Sequence, residues 1–223
     1  MYWKDEGYLL SKKNLSENSI IIEAFTLKHG KCSGLVYGGN SRKQKKNFQV
    51  GNKILLNWKS KSENKMGYFN IELINPIASF FFDDKKKSTT ILSATSILKI
   101  LLPERQINTN IYNSFEKMLN DLKLSNWIKS YIYWELSLIK ELGYEVNFFD
   151  KNESNNLINN TVEINNKFFK VPKMLLNEDL NNNHFKDVKE ALIFNKNLIV
   201  ENFILPNKLK FPLFRNILEN YYS

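Results

Sequence analysis

Hydrophobic residues in the first 80 positions fall into short blocks separated by turn signals. Tyr8-Leu9-Leu10 follows Glu6-Gly7, and Ser19 to Phe25 carries Ile20, Ile21, Ile22 and Phe25. Cys32 to Tyr37, Ile54 to Trp58 and Tyr68 to Ile74 complete the set, with His29-Gly30, Gly38-Gly39-Asn40-Ser41 and Val50-Gly51-Asn52 between them. β-branched and aromatic residues bounded by Gly, Asn and Ser read as strands. Five short strands before Pro76 fit a small closed barrel such as an OB-fold, which leaves no exposed sheet edge to protect.

Beyond Pro76 the period lengthens. Ile91, Leu92, Ile97, Leu98, Leu101 and Leu102 form a helical face over Thr89 to Leu102, stopped by Pro103. A second helix carries Ile111, Phe115, Met118, Leu119 and Leu122. The third, Asn126 to Leu142, repeats Trp127, Tyr131, Trp134, Leu138 and Leu142, with Asn126 placed to cap it through its side chain and Gly143 to end it. Asn-rich residues 152–160 show no period. Val162 to Ile164 and Lys167 to Val171, flanking Asn165-Asn166, resemble a hairpin, and amphipathic segments follow at His184 to Phe194 and Pro212 to Tyr222. The expectation is an α+β multidomain chain: an OB-fold barrel over residues 1–80, then an all-α helical domain over 81–223 with a small polar insertion at about 145–183.

Charge sharpens this picture. The chain carries a formal net charge of +9; residues 1–80 hold 13 Lys and Arg against 6 Asp and Glu, whereas residues 81–223 hold 19 against 17. A basic excess concentrated in the barrel segment favours a polyanion such as nucleic acid. Arg42, Lys43, Lys45 and Lys46 lie just past Gly38-Gly39, and Lys12-Lys13 forms a second cluster. Tyr37, Phe48, Trp58 and Tyr68 are nearby aromatics, and cations with rings available for stacking suit sequence-tolerant single-strand binding. On a small barrel most such rings face the core instead.

No catalytic constellation accompanies these residues. There is no phosphate-binding loop ending in Gly-Lys-Ser/Thr. Asp83-Asp84 precedes Lys85-Lys86-Lys87 and reads as a self-neutralising loop, as does Glu178-Asp179. His29, between Lys28 and Lys31, points to surface contact before acid–base work. Cys32 is the only cysteine and His29 and His184 the only histidines, which excludes an internal disulfide and a thiolate-rich metal site. No apolar run approaches the ~18 residues of a membrane span, and Met1 to Leu10 lacks the pattern of a signal peptide. The expectation is a cytoplasmic, nucleoid-associated protein without enzymatic activity, metal or cofactor.

Several segments resemble the RecO family of recombination proteins. Asp5 to Leu10, Glu17-Asn18-Ser19 with the Ile20–Phe25 strand, Thr26, Gly30, Gly38-Gly39 and Ser41-Arg42-Lys43 are similar to its N-terminal region. Leu101 to Arg105 resembles its interdomain helix end, as in alphaproteobacterial-type members; Trp134 to Ile139, running into Glu141 to Tyr144, resembles its central helix, and Phe211 to Leu218 its last. The resemblance implies binding of single- and double-stranded DNA and annealing of complementary strands. It also implies partnership with RecR, contact with the C-terminal tail of single-stranded-DNA-binding protein, and help in loading recombinase RecA. Two departures stand out. Val146 to Pro172 lacks the four zinc-ligating cysteines of many relatives. Tyr133 stands where many have Arg on the face receiving the protein tail, leaving Lys129, one turn earlier, as the available charge. An RNA-binding OB-fold protein and a protein–protein adaptor without DNA affinity are the alternative readings.

The purified chain is expected to contain far less than one zinc per molecule, and a chelator should leave its unfolding transition unmoved. Elemental analysis with a paired melt checks this; stoichiometric zinc would contradict it.

Overall fold

β1 (Tyr2–Asn14) is paired on both sides and is the strand around which the first unit closes. The computed structural model describes residues 1–39, 41, 48–62, 66–144, 161–176 and 185–222. With β2 (Ser19–Thr26), β3 (Gly30–Tyr37), β4 (Lys53–Lys59) and β5 (Gly67–Asn75), it forms a closed barrel of order β1-β2-β3-β5-β4. β1 pairs antiparallel with β4 over Tyr2–Tyr8 and with β2 over Gly7–Asn14, with a bulge between Leu9 and Ser11 that lets one strand serve both neighbours. The sequence reading Tyr8–Leu10 caught only its centre. The polar residues on either side are strand because ladders on both edges hold them, not because they are apolar.

Alternate residues of all five strands fill the interior, among them Leu9, Ile22, Ala24, Val36, Ile54, Leu56, Trp58 and Phe69. Closure falls at a parallel seam between β3 and β5, with Gly34 opposite Gly67 and Leu35 opposite Tyr68. A Cβ on Gly34 would lie 2.5 Å from the Phe69 ring, and one on Gly67 would overlap the Trp58 indole. The seam therefore gives up two side chains so that two large rings can cross it.

The chain divides into two compact units, Met1–Tyr112 and Asn113–Ser223. After the short α1 (Ile77–Phe80), α2 (Lys85–Leu101) belongs to the first. It starts a turn earlier than the apolar period indicated, because the Asp84 carboxylate accepts the Lys87 N–H at 3.1 Å. Its last turn meets the outside of the barrel. Lys99 Nζ lies 2.8 Å from Glu23 Oε2 and 3.3 Å from Ser11 Oγ, and Lys31 Nζ donates to the Lys99 carbonyl at 2.8 Å. Burial alone would raise the Glu23 carboxyl, but hydrogen bonds from Lys99 and Ser11 and the Lys99 and Lys31 charges outweigh it, so the group sits below the usual carboxylate range. α3 (Thr109–Asp121) begins with the Asn108 side chain accepting the Ile111 N–H at 2.9 Å, and Tyr112 packs on Tyr8 and Phe25.

The second unit is organised by a buried ion pair. α4 (Trp127–Glu141) buries Ile128, Tyr131, Ile132, Trp134, Leu138 and Ile139, and in the same face Glu135, which is fully buried. Trp127 and Leu142, expected in the core, are half-buried instead. Asn126, expected to cap through its side chain, makes no such bond; its carbonyl accepts the Lys129 N–H at 2.9 Å. Gly143 (φ 95°) ends the helix as expected, donating to the Lys140 carbonyl while Tyr144 donates to that of Ile139. Asn165 and Asn166, at φ 51° and 62°, turn the hairpin of β6 (Thr161–Ile164) and β7 (Lys167–Lys170). After the short α5 (Lys173–Leu176), α6 (Phe185–Ile199) continues into a π-helical turn, Val200–Ile204, and α7 (Leu213–Asn220) follows. Arg215 of α7 reaches Glu135 at 2.5 and 3.2 Å and the Leu192 carbonyl at 2.6 Å. Tyr131 and Asn195 add hydrogen bonds to the same carboxylate at 2.7 and 3.1 Å. Burial works against the guanidinium charge, but Glu135, Tyr131 and Glu219 more than restore it.

Removing one partner of such a pair strands a buried charge. Arg215→Leu should cost about 3–5 kcal/mol in urea titrations of the full chain, whereas Arg215→Met with Glu135→Leu should recover most of that loss. Equal losses in the single and the double variant would contradict this account.

Candidate nucleic-acid interface

Strand register places one row of outward-facing residues around the barrel. Lys13 is opposite Ile21, Ile21 opposite Leu35, Leu35 opposite Tyr68, Tyr68 opposite Lys59, and Lys59 opposite Tyr2. Tyr37, two residues beyond Leu35, shares the face. Tyr37 is 71% exposed and Tyr68 45%, and their ring centroids lie 6.2 Å apart across the seam. At the far end of the row the Lys59 ammonium sits 5.8 Å from the centre of the exposed Tyr2 ring. Ile21 and Leu35 are half-buried and form an apolar floor.

The next row toward the other end of the barrel is already occupied. Ser11 and Glu23 hold Lys99, and Ser33 Oγ donates to Glu104 Oε1 at 2.7 Å. Among the described residues of this outer face, the rim bearing Lys13, Tyr37 and Tyr68 is left exposed. Burial sorts the four aromatics that the sequence brought forward. Phe48 and Trp58 are core residues, 1% and 6% exposed, while Tyr37 and Tyr68 stand in solvent. Lys12 and Lys13 are both exposed at the end of β1. Arg42, Lys43, Lys45 and Lys46 lie outside the described residues; Ser41, just before them, donates its N–H to the Gly38 carbonyl at 3.0 Å, next to Tyr37.

The reactive groups of the barrel are occupied in structure. Cys32 is buried, and burial pushes its thiol up to about 12, so it carries no thiolate at neutral pH. His29 Nδ1 is paired with Asp5 at 3.0 Å. Among the described residues no three His, Cys, Asp or Glu side chains are grouped to hold a metal ion, and no helix is long and apolar enough to cross a membrane.

Lys129 and Tyr133 line a single groove of about 440 Å³ in the second unit, together with Lys117, Met118, Ser130 and Trp134. The Tyr133 hydroxyl donates to the Met174 carbonyl at 3.2 Å. Trp134 Nε1 is buried and, among the described residues, has no hydrogen-bond partner. The family resemblance brought Tyr133 forward, and helical spacing added Lys129 one turn earlier. The Trp134 donor was not legible, because the same period marks that ring simply as core.

Comparison with known proteins agrees with this architecture over both units. The family model for recombination protein O N terminal matches residues 1–77, and that for recombination protein O C terminal matches residues 83–192. A DNA repair protein RecO from Wolbachia sp. subsp. Drosophila simulans is 34% identical over 148 residues, which cover 66% of this chain and 61% of the relative. RecO proteins of Cereibacter sphaeroides (strain ATCC 17029) and Roseobacter denitrificans are 33% and 34% identical, each over 65% of this chain and 60% of the relative. The matched part thus spans about three-fifths of the length of these relatives. An OB-type barrel with a basic excess, a helical second unit built on the buried glutamate of α4, and matches that run through both together lead to one conclusion: the chain belongs to the RecO family.

Proposed function

We propose that this chain is a DNA-binding mediator of recombinational repair that holds single strands on the outer rim of its barrel and promotes their annealing without bond chemistry of its own. The observation that carries this reading is the exposed Tyr37–Tyr68 pair in register with Lys13, on the part of the chain where the basic excess lies. Phosphates would be met by Lys12, Lys13 and the Arg42, Lys43, Lys45, Lys46 run, and bases by the tyrosine faces. Duplex DNA would use the same cations without the stacking. Family membership supports RecR as a partner and recombinase loading as the outcome. The competing readings, an RNA-binding protein and an adaptor with no DNA affinity, differ in what a filter-binding comparison of RNA with DNA returns.

Affinity for a long oligonucleotide should fall steeply with salt, with a log–log slope of about −0.7 per contacted phosphate. Charge reversal at Arg42, Lys43, Lys45 and Lys46, or at Lys12 and Lys13, should flatten that slope and leave circular dichroism unchanged. Tyr37→Ala with Tyr68→Ala should cost about 1–3 kcal/mol per lost stack with the slope unaltered. A salt-independent affinity, or none, would remove the electrostatic mechanism.

A second contact is favoured by the Lys129–Tyr133 groove. An acidic peptide ending in an aromatic residue, such as the tail of single-stranded-DNA-binding protein, could set a carboxylate near Lys129 and its ring in the groove beside Met118. Lys129→Glu should abolish tail binding, measured by fluorescence anisotropy of a labelled tail peptide, and spare binding of naked DNA. Normal tail binding by this variant, or no tail binding by the unaltered chain, would count against the assignment.

A further inference from the structure

Arg105 has φ 59°, a left-handed conformation that residues other than Gly, Asn and Asp seldom adopt. The turn around it is held from several directions. Arg105 N–H donates to the Lys31 carbonyl at 2.8 Å, and Glu104 forms a parallel bridge with Lys31. Gly30, at φ 67°, lets the Gln106 backbone lie against the β2–β3 turn where any Cβ would overlap it. Strain kept in place by its surroundings is a mark of positioned side chains. Here the residue so positioned lines a cavity of about 650 Å³ within the first unit, shared with Trp3, Trp58, His29, Lys28 and Ile107.

The cavity has an aromatic wall and a cationic rim. Trp3 stacks on His29 (4.1 Å between centroids, 10° between planes) and on Trp58 (5.5 Å, 14°). Asp5 fixes the imidazole from behind, 3.0 Å from Nδ1, and also accepts the N–H groups of Lys28 and Glu6 at 2.8 and 2.9 Å. That carboxylate is buried behind the imidazole and is not among the residues lining the cavity. Glu104 is engaged by the Ser33 hydroxyl. Lys28 and Arg105 are both exposed. A stack of flat rings beside two cations suits a planar heterocycle carrying an anion, and the volume lies within the range of small-ligand sites.

The cavity also continues the row already described. Tyr2, last in the sequence Lys13, Ile21, Leu35, Tyr68, Lys59, Tyr2 around the barrel, lines it as well. We propose that the cavity receives one nucleotide of a bound single strand, its base packed against the His29 end of the Trp58–Trp3–His29 stack and its phosphate held between Lys28 and Arg105. This rests on the strand-binding reading above and adds to it a defined end point for the path around the rim. A strand anchored by one captured nucleotide keeps its remaining bases available to a complement.

The test uses the full chain with ¹⁵N-labelled tryptophans, whose four indole N–H signals report separately on the cavity (Trp3, Trp58) and on the second unit (Trp127, Trp134). Deoxyadenosine 5′-monophosphate should shift the Trp3 and Trp58 signals saturably and leave the other two in place. Deoxyadenosine and inorganic phosphate, tested alone, should each act at least about tenfold more weakly. Arg105→Glu and Lys28→Glu should each weaken the mononucleotide about tenfold, and Lys186→Glu, at an exposed lysine of the second unit, should not. The inference is overturned if Trp3 and Trp58 do not respond, or respond equally in both cavity variants. It is overturned as well if an acidic peptide with a terminal aromatic shifts them and the mononucleotide does not. A parallel salt titration with an oligonucleotide separates the two readings: salt-dependent binding with silent Trp3 and Trp58 signals sinks the cavity and leaves the rim standing, whereas absence of binding sinks both.

Discussion

The barrel depends on what two glycines leave out. Gly34 and Gly67 face one another where β3 meets β5, and their missing side chains are the space through which Phe69 and Trp58 pack. Among the described residues the seam is two residue pairs long, and its hydrogen bonds contribute about 1 kcal/mol each. Burying an aromatic ring is worth roughly 4–6 kcal/mol, from about 150–250 Å² at about 25 cal/mol per Å². Closure is therefore driven by the rings that cross the seam, and the hydrogen bonds fix its register. That register then decides the surface. With Leu35 opposite Tyr68, the Tyr37 and Tyr68 rings must emerge side by side on the outside, in line with Lys13.

The second unit uses a different device for the same end. Glu135 and Arg215 bring α4 and α7 together through a charge pair with no exposed surface, and Asn195, Tyr131 and the Leu192 carbonyl add partners from α4 and α6. Such a pair adds little net stability over a well-packed apolar pair, but it penalises any packing that leaves one charge alone. It specifies which helices meet. The Lys129–Tyr133 groove lies on this same helix α4, so the pairing that fixes the helix also fixes the groove wall.

Much of this was legible in the sequence, and the failures have identifiable causes. Blocks of β-branched and aromatic residues between glycine turns located five strands, and period-3.6 faces located the long helices, because strand propensity and a buried helical face both leave their mark on the chain. The length of β1 was not legible: Lys4, Asp5, Lys12 and Lys13 look like loop residues until the strands on either side supply their ladder partners. Which aromatics face solvent was also hidden, since Trp58 and Tyr68 have the same strand propensity and differ only in pleat direction. Glu135 escaped notice as a core residue, although it lies four positions from Tyr131 and three from Leu138, because a lone carboxylate on an apolar face has no visible partner 80 residues away. The Arg105 turn left a faint trace, Pro103 followed by charged residues, but nothing in the spacing said that it would dock against Gly30.

The central claim is that single strands lie along the outer rim of the barrel, over the tyrosine pair at the seam. Photo-crosslinking a 5-iododeoxyuridine-substituted oligonucleotide to the full chain, with adducts located by peptide mass spectrometry, tests it most directly. The account predicts adducts on Tyr37 and Tyr68. Efficient crosslinking with neither tyrosine modified and all adducts within Asn113–Ser223 would contradict it.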